Sequence, residues 1–457
     1  MTVSTAYGQI EGTTKNGCEF YLGIPYAKPP VGALRFQKPE RPKPWSGVYR
    51  ADHFGCRSMQ GENPGESFYK KEFYSNPDFT CEMSEDCLYL NLCVPKREDG
   101  HSQEKLPVAV YIHGGAFLGG AGSNLPFVCD NLAKAGVIVV TVNYRLGVFG
   151  FLCHPLLGVP GQNEAGGNYG LWDQIAAITW VKENIAAFGG DPGNVTVFGQ
   201  SAGAMSLQVL AVSEQTEGLF ERMILQSGGG YRHPLAAGRS IAEASDFAED
   251  LLEALGIPDM EWKESEEKKK RALAALYETS AEDMMKAAGI MIGKAFSRRK
   301  GMPFVPVVDG ELLKEEQDVL IEKGRYHAVP YLLGANGDDI TTENQTEKSP
   351  ENNPMQAANL AFAEKVSGDG RTEAYVYYFD RKLPGDESGA FHSAELWYVF
   401  GSLAYCWRPF TEADHALSAE MIGYWSNFMK NGSPNGEGLP EWSAYTREAP
   451  FVRRLDV

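Results

Sequence analysis

The chain has 457 residues, 43% of them hydrophobic and 22% charged, the balance of a globular protein with a sizeable core. A formal net charge of -18 repels nucleic acid and anionic membrane surfaces, so neither is expected as a partner. No apolar run is long enough to span a bilayer, and Met1 to Gly8 lacks the basic and apolar segments of an export signal, so a cytoplasmic location is expected.

The cysteines, at positions 18, 56, 81, 87, 93, 129, 153 and 406, include no Cys-x-x-Cys pair with histidines nearby, so no zinc site is expected. Without an export signal they read as free, mostly buried thiols, with Cys56 and Cys87 the pair to watch.

In chain order, the proline-rich stretch Tyr21 to Phe36 predicts short strands and turns laid over a larger core. A polar loop follows from Arg57 to Phe79. Glu85 to Pro95 alternates apolar positions and predicts a half-buried strand, ended by a charged turn from Lys96 to Lys105. Near-continuous apolar runs come next, Val108 to Ile112 and Val137 to Val142, the pattern of strands buried on both faces of a mostly parallel sheet. Leu171, Ile175, Ile178, Val181 and Ile185 recur at helical spacing and predict a helix over Asn168 to Ala187, stopped at Gly189-Gly190-Asp191-Pro192. Val195 to Phe198 and Met223 to Gln226 predict two more buried strands.

Residues 232–300 are helix-rich and charged, with the run Glu264 to Arg271 a solvated helix face. They are expected to form a helical insertion over the C-terminal edge of the sheet, where open α/β folds carry their sites. Strands resume at Tyr331 to Leu333 and Tyr375 to Phe379, and residues 417–457 predict a C-terminal helix, Leu417 to Phe428, with a tail. The chain 1–457 is therefore expected to be a single α/β catalytic domain, with a large, mostly parallel central sheet flanked by helices.

Gly199-Gln200-Ser201-Ala202-Gly203 lies between a predicted strand and the helix-favouring Ala204 to Leu210. A steep turn there lifts a serine hydroxyl above the sheet, which makes Ser201 a candidate nucleophile. Such a serine needs a base for its proton, an acid to orient that base, and N–H donors for the oxyanion. His113-Gly114-Gly115-Ala116-Phe117, directly after the strand ending at Ile112, supplies small residues whose backbone N–H groups can point at substrate. The competing reading is a phosphate-binding loop, but Gly120-Ala121-Gly122 continues as Ser123-Asn124-Leu125 and misses G-x-G-x-x-G.

Two histidines lie beyond the strand that should present the acid. His415 sits in a polar helical context where solvent exposure is the plain reading. His392, in Gly389-Ala390-Phe391-His392, follows an apolar strand and is the candidate base. After Leu333 come Asp338 and Asp339, with Glu343 a distant third. Adjacent carboxylates cannot both face one imidazole, so the other is solvated or caps a turn.

With these motifs the chain resembles the type-B carboxylesterases, the α/β-hydrolase family that includes cholinesterases and bacterial para-nitrobenzyl esterases. The resemblance covers nearly the whole length. It is carried by Glu85 to Pro95, by Gly23 to Pro30 with Leu34-Arg35-Phe36, and by Asn143-Tyr144-Arg145, Asn168 to Gln174, Phe188 to Pro192, Leu225 to Gly228 and Pro306 to Gly310. It implies Ser201 as nucleophile, His392 as base, Asp339 as acid by register from Gly334, and Gly115, Ala116 and Ala202 as the oxyanion hole. It further implies that Ser227 supports the acid, that Arg35 pairs with Glu85, and that Cys56 and Cys87 occupy the positions of a disulfide found in secreted members.

Three departures bear on specificity. Gln200 stands where the family usually has Glu, Asp339 where it usually has Glu, and the stretch before Glu85 lacks the tryptophan that cholinesterases use to hold quaternary ammonium. The resulting expectation is a serine carboxylesterase acting on a small-molecule ester through an acyl-enzyme, with no cofactor and no metal. A catalytically dead binding module on the same fold is the reading from another class, and it typically loses triad residues that this chain retains.

Overall fold

A computed structural model of the chain describes residues 1–457 except 62–66, 98–103, 159–164, 234, 236–237, 258–264, 299, 343–348 and 351. Ten strands make the central sheet: β1 (Thr13–Lys15), β2 (Cys18–Pro25), β3 (Tyr89–Pro95), β4 (Leu106–Ile112), β5 (Ile138–Val142), β6 (Gly190–Gln200), β7 (Arg222–Gln226), β8 (Tyr331–Asn336), β9 (Ala374–Phe379) and β10 (Val452–Leu455). Across the sheet they run β10-β9-β8-β7-β6-β4-β5-β3-β2-β1. Every pairing from β10 to β5 is parallel, and those from β5 to β1 are antiparallel. A separate three-stranded sheet, Thr2–Thr5, Gly8–Glu11 and Val48–Arg50, belongs to the N-terminal segment.

The apolar runs form strands because both faces of the sheet are covered: Val108, Val110, Val195 and Val197 enter one apolar cluster, while Ala109, Tyr111 and Phe198 enter another on the opposite face. β3 corrects the half-buried reading, since every residue after Tyr89 in it is buried. Leu90, Leu92 and Val94 join one cluster and Cys93 the other. Asn91, polar and off the apolar positions, is also buried and satisfied by bonds from Gly23 N at 2.9 Å and to Thr141 Oγ1 at 3.1 Å.

The main helices are α1 (Phe68–Phe73), α2 (Tyr169–Asn184), α3 (Ala202–Val212), α4 (Ile241–Ala254), α5 (Glu266–Glu278), α6 (Ala281–Ser297), α7 (Pro354–Gly368) and α8 (Glu412–Asn431). α2 ends three residues before Ala187, and a 3-10 turn carries the chain to Gly189, whose φ of 81° closes it. α8 starts earlier than predicted because Thr411 and Asp414 make a capping box, and this puts exposed His415 in its first turn. Within 232–300 lie α4, α5 and α6. The short strands Arg239–Ser240 and Val307–Val308 pair with each other and bring the two flanks of that stretch together.

Candidate active site

The parallel strands deliver their C-terminal ends to one edge, and Ser201, Gly115, Ala116, Ala202, Ser227, Asp339 and His392 all stand there. β6 ends at Gln200 and α3 begins at Ala202, so Ser201 occupies the turn with φ 55° and ψ -127°, a conformation that non-glycine residues rarely hold. Ser201 makes no side-chain bond to its own helix. Its N–H donates to Gln226 O on β7 at 2.8 Å, which fixes the turn against the sheet. Gly203 lets the helix approach: a Cβ there would fall 2.0 Å from Ile112 O.

The loop after β4 is equally constrained. Gly115 (φ 111°), Ala116 (φ 55°) and Phe117 (φ 59°) follow one another with positive φ. Leu118 N and Gly119 N both donate to Gly115 O, at 2.9 and 3.0 Å, and Gln60 grips Gly120 through Gly120 N→Oε1 and Nε2→Gly120 O, each 2.9 Å. A Cβ on Gly115 would lie 2.0 Å from Gly119 O. Among the described residues, the N–H groups of Gly115, Ala116 and Ala202 have no intramolecular acceptor, and Ala202 N stands at the positive end of α3. His113 is structural: burial lowers its pKa to about 4, its ring stacks on Tyr144 at 4.5 Å, and Tyr144 Oη donates to His113 O at 2.8 Å.

His392 Nδ1 lies 2.5 Å from Asp339 Oδ1, and both residues are buried. Burial alone would lower the His392 pKa, but the Asp339 charge and hydrogen bond, with Glu395 adding to them, raise it above the ordinary imidazole value. Burial would likewise raise Asp339, yet His392, Ser227 and Asn336 N hold its carboxyl below the ordinary range. Ser227 Oγ, fully buried, bears on that carboxylate although the pair falls outside ordinary hydrogen-bond geometry. Asp338, half-buried, also has a partner: its Oδ2 accepts Ala390 N at 2.8 Å, two residues before His392. One carboxylate thus holds the imidazole and its neighbour holds the loop that carries it. Glu343, the third candidate, lies outside the described residues.

With the ring proton on Nδ1, His392 Nε2 accepts the Gln200 amide at 3.2 Å. That turns the basic edge of the ring toward the residue next to Ser201. Sequence reasoning did not single out Glu395, which is fully buried, acts electrostatically on the histidine and accepts from Asn336 Nδ2 at 2.5 Å and Gln226 Nε2 at 3.2 Å. Burial pushes its pKa up to about 7. Its spacing three residues after His392 was the available signal.

The resemblance-based ion pair also forms: Arg35 Nε and Nη2 meet both oxygens of Glu85 at 2.7 and 2.6 Å, and Arg35 Nη1 donates to Leu276 O and Thr279 O near the end of α5. Cys56 and Cys87 are both free thiols, as are the other six cysteines.

Comparison with known proteins agrees with this geometry. The model of the "Carboxylesterase family" matches residues 1–361 and 352–456. The para-nitrobenzyl esterase of Bacillus subtilis (strain 168) is 34% identical over 500 residues, covering 99% of this chain and 94% of the relative. Human cocaine esterase is 31% identical over 520 residues, covering 98% and 87%. A solved PNB esterase structure superposes with a TM-score of 0.82 at 33% identity, covering 100% of this chain and 96% of that one. The chain belongs to the carboxylesterase family: it has the α/β-hydrolase fold and is a carboxylic ester hydrolase.

Proposed function

We propose that Ser201 attacks the carbonyl of a small-molecule ester, that His392 takes the hydroxyl proton and returns it to the departing alcohol, and that Asp339 holds the imidazole in the required tautomer. The N–H groups of Gly115, Ala116 and Ala202 receive the oxyanion, and Ser227 keeps the Asp339 carboxylate ionised and in place. Water then attacks the acyl-enzyme with His392 again as base. The observation that carries this reading is the 2.5 Å contact between His392 Nδ1 and Asp339 Oδ1, with the opposite ring nitrogen turned toward the Gln200–Ser201 turn. The whole chain acts as one catalytic domain, with 232–300 as a helical insertion beside the site, and works in the cytoplasm, a location that suits eight unpaired thiols. No helix of the described residues is long and apolar enough to cross a membrane.

A fluorophosphonate probe tests the nucleophile. The wild-type protein is expected to be labelled and Ser201→Ala not. Equal labelling of both would remove Ser201 from the role.

A further inference from the structure

An oxyanion hole made of backbone N–H groups works only while its peptide planes point at one place. Here the planes belong to a loop in which Ala116 and Phe117 both hold positive φ, a conformation that side chains disfavour and that persists only where the surroundings impose it.

The loop is pinned at three points. At its start, Tyr144 stacks on His113 at 4.5 Å and donates from Oη to His113 O at 2.8 Å. In its middle, Gly147 N donates to Phe117 O at 2.7 Å. At its end the chain folds back on its start: a Cβ on Gly120 would fall 2.5 Å from His113 Nδ1 and 2.7 Å from Gly114 O. That oxygen belongs to the same rigid peptide plane as the Gly115 N–H, so a displacement of Gly120 is passed directly to a donor.

Gly120 is held by Gln60, which is 6% exposed. Gln60 Oε1 accepts from Gly120 N and Gln60 Nε2 donates to Gly120 O, each at 2.9 Å, and two such bonds set the tilt of the glycine as well as its place. The other Nε2 proton goes to Ser58 O at 3.0 Å, and Ser58 Oγ donates to Tyr144 O at 2.5 Å. The circuit thus returns to the tyrosine that holds His113. Its support is rigid: Arg57–Ser58 pairs as a short strand with Met83–Ser84, and Arg57 Nε donates to Cys81 O at 2.8 Å.

We propose that Gln60 is a positioning residue for the oxyanion: its paired bonds to Gly120 hold the Gly114–Gly115 peptide plane, and with it the N–H groups of Gly115 and Ala116, toward the developing charge. The inference rests on the assignment of those N–H groups made above. Gln60 acts through the donors, so its loss is felt when the carbonyl oxygen gains charge and not when the ester binds. Removing one donor outright costs about 10² to 10³ in kcat, and loosening the donors costs less, about 10- to 100-fold.

Gln60→Met removes both bonds at nearly constant volume, and Gln60→Glu keeps the acceptor for Gly120 N while setting a carboxylate oxygen against Gly120 O. Turnover of para-nitrophenyl acetate is counted per site titrated to saturation with a fluorophosphonate, so protein lost to misfolding is not counted. Both variants are expected to lose about 10- to 100-fold in kcat/KM. They should also bind a trifluoromethyl ketone, whose hemiketal oxygen takes the same donors, more weakly by the same factor. In Gln60→Met the rising pH limb of kcat/KM should stay where it is in the wild type, because His392 and Asp339 are untouched. Unchanged turnover per site in both variants, a loss of turnover with ketone affinity retained, or a displaced pH limb in Gln60→Met would overturn the role. Gly115→Ala separates this failure from that of the oxyanion assignment. Ketone binding weakened by Gly115→Ala but not by Gln60→Met overturns the positioning role alone, and ketone binding indifferent to both overturns the donors with it.

Discussion

The site is built in two ways on its two sides. Around Ser201 and the loop Gly115 to Phe117 the working geometry is backbone, held in positive-φ conformations by close approaches that only small residues permit. Around His392 it is side chain: Asp339 on the ring, Asp338 on the loop backbone, Glu395 acting on it by charge, and the Glu72–Arg408 pair tying α1 to the segment that leads into it. The first side is carried by short sequence motifs, even though Gln60 and Ile112 reach into it from elsewhere in the chain, and the second by side-chain partners that are 52 to 336 residues apart. Substitution should therefore damage the first by steric exclusion and the second by loss of charge or orientation.

The sharpest test of that contrast is the adjacent acid pair. Asp339→Asn should leave the fold intact and lower kcat by about 10⁴, because the amide favours the wrong imidazole tautomer. Asp338→Asn keeps an oxygen that can accept Ala390 N–H, so its effect on kcat should stay under about tenfold. Steady-state kinetics on both variants check this, and the reverse order would move the triad acid to Asp338. On the backbone side, Gly115→Ala should lower kcat by about 10² to 10³, since the new Cβ falls 2.0 Å from Gly119 O and forces the donor loop out of position. An unimpaired Gly115→Ala enzyme would show that the loop is not the oxyanion donor.

Smaller effects should appear in the pH profile. In the proposed mechanism His392 must be neutral to accept the serine proton, and its pKa is raised in the fold, so kcat/KM should rise with pH through an apparent pKa above the ordinary value of about 6.5. Negative charge near the ring raises that limb further. Gln200→Glu adds such a charge 3.2 Å from Nε2 and should move the limb upward, whereas Glu395→Gln removes one and should move it downward. Each displacement should be up to about one pH unit. Shifts in the opposite directions would mean that the limb belongs to another group.

The same division explains what the sequence made legible. Gly199 to Gly203 between an apolar run and a helix former, and His113 to Phe117 directly after another run, are local patterns, and the structure puts both at the C-terminal edge of the sheet. The parallel strands were legible because burial on two faces leaves continuous apolar runs, whereas the antiparallel strand β3, buried on both faces too, carries the polar Asn91 inside it. His392 was singled out by its place after β9, and His415 was set aside by its polar helix. Glu395, Gln60 and Glu72 were not legible, since a buried polar side chain is recognised only by partners that the fold brings from far away. Asp338 shows the same limit: sequence alone offered solvent or a turn cap, and one partner of this half-buried carboxylate, Ala390 N, is 52 residues away.

The most direct test of the catalytic assignment is an acid-quenched reaction with para-nitrophenyl acetate, followed by mass analysis of the digested protein. The mechanism predicts an acetyl adduct on the peptide that carries Ser201, absent from Ser201→Ala and short-lived in the wild type at neutral pH. An acetyl group trapped reproducibly on another side chain, or turnover with no covalent adduct in the wild type, would contradict it.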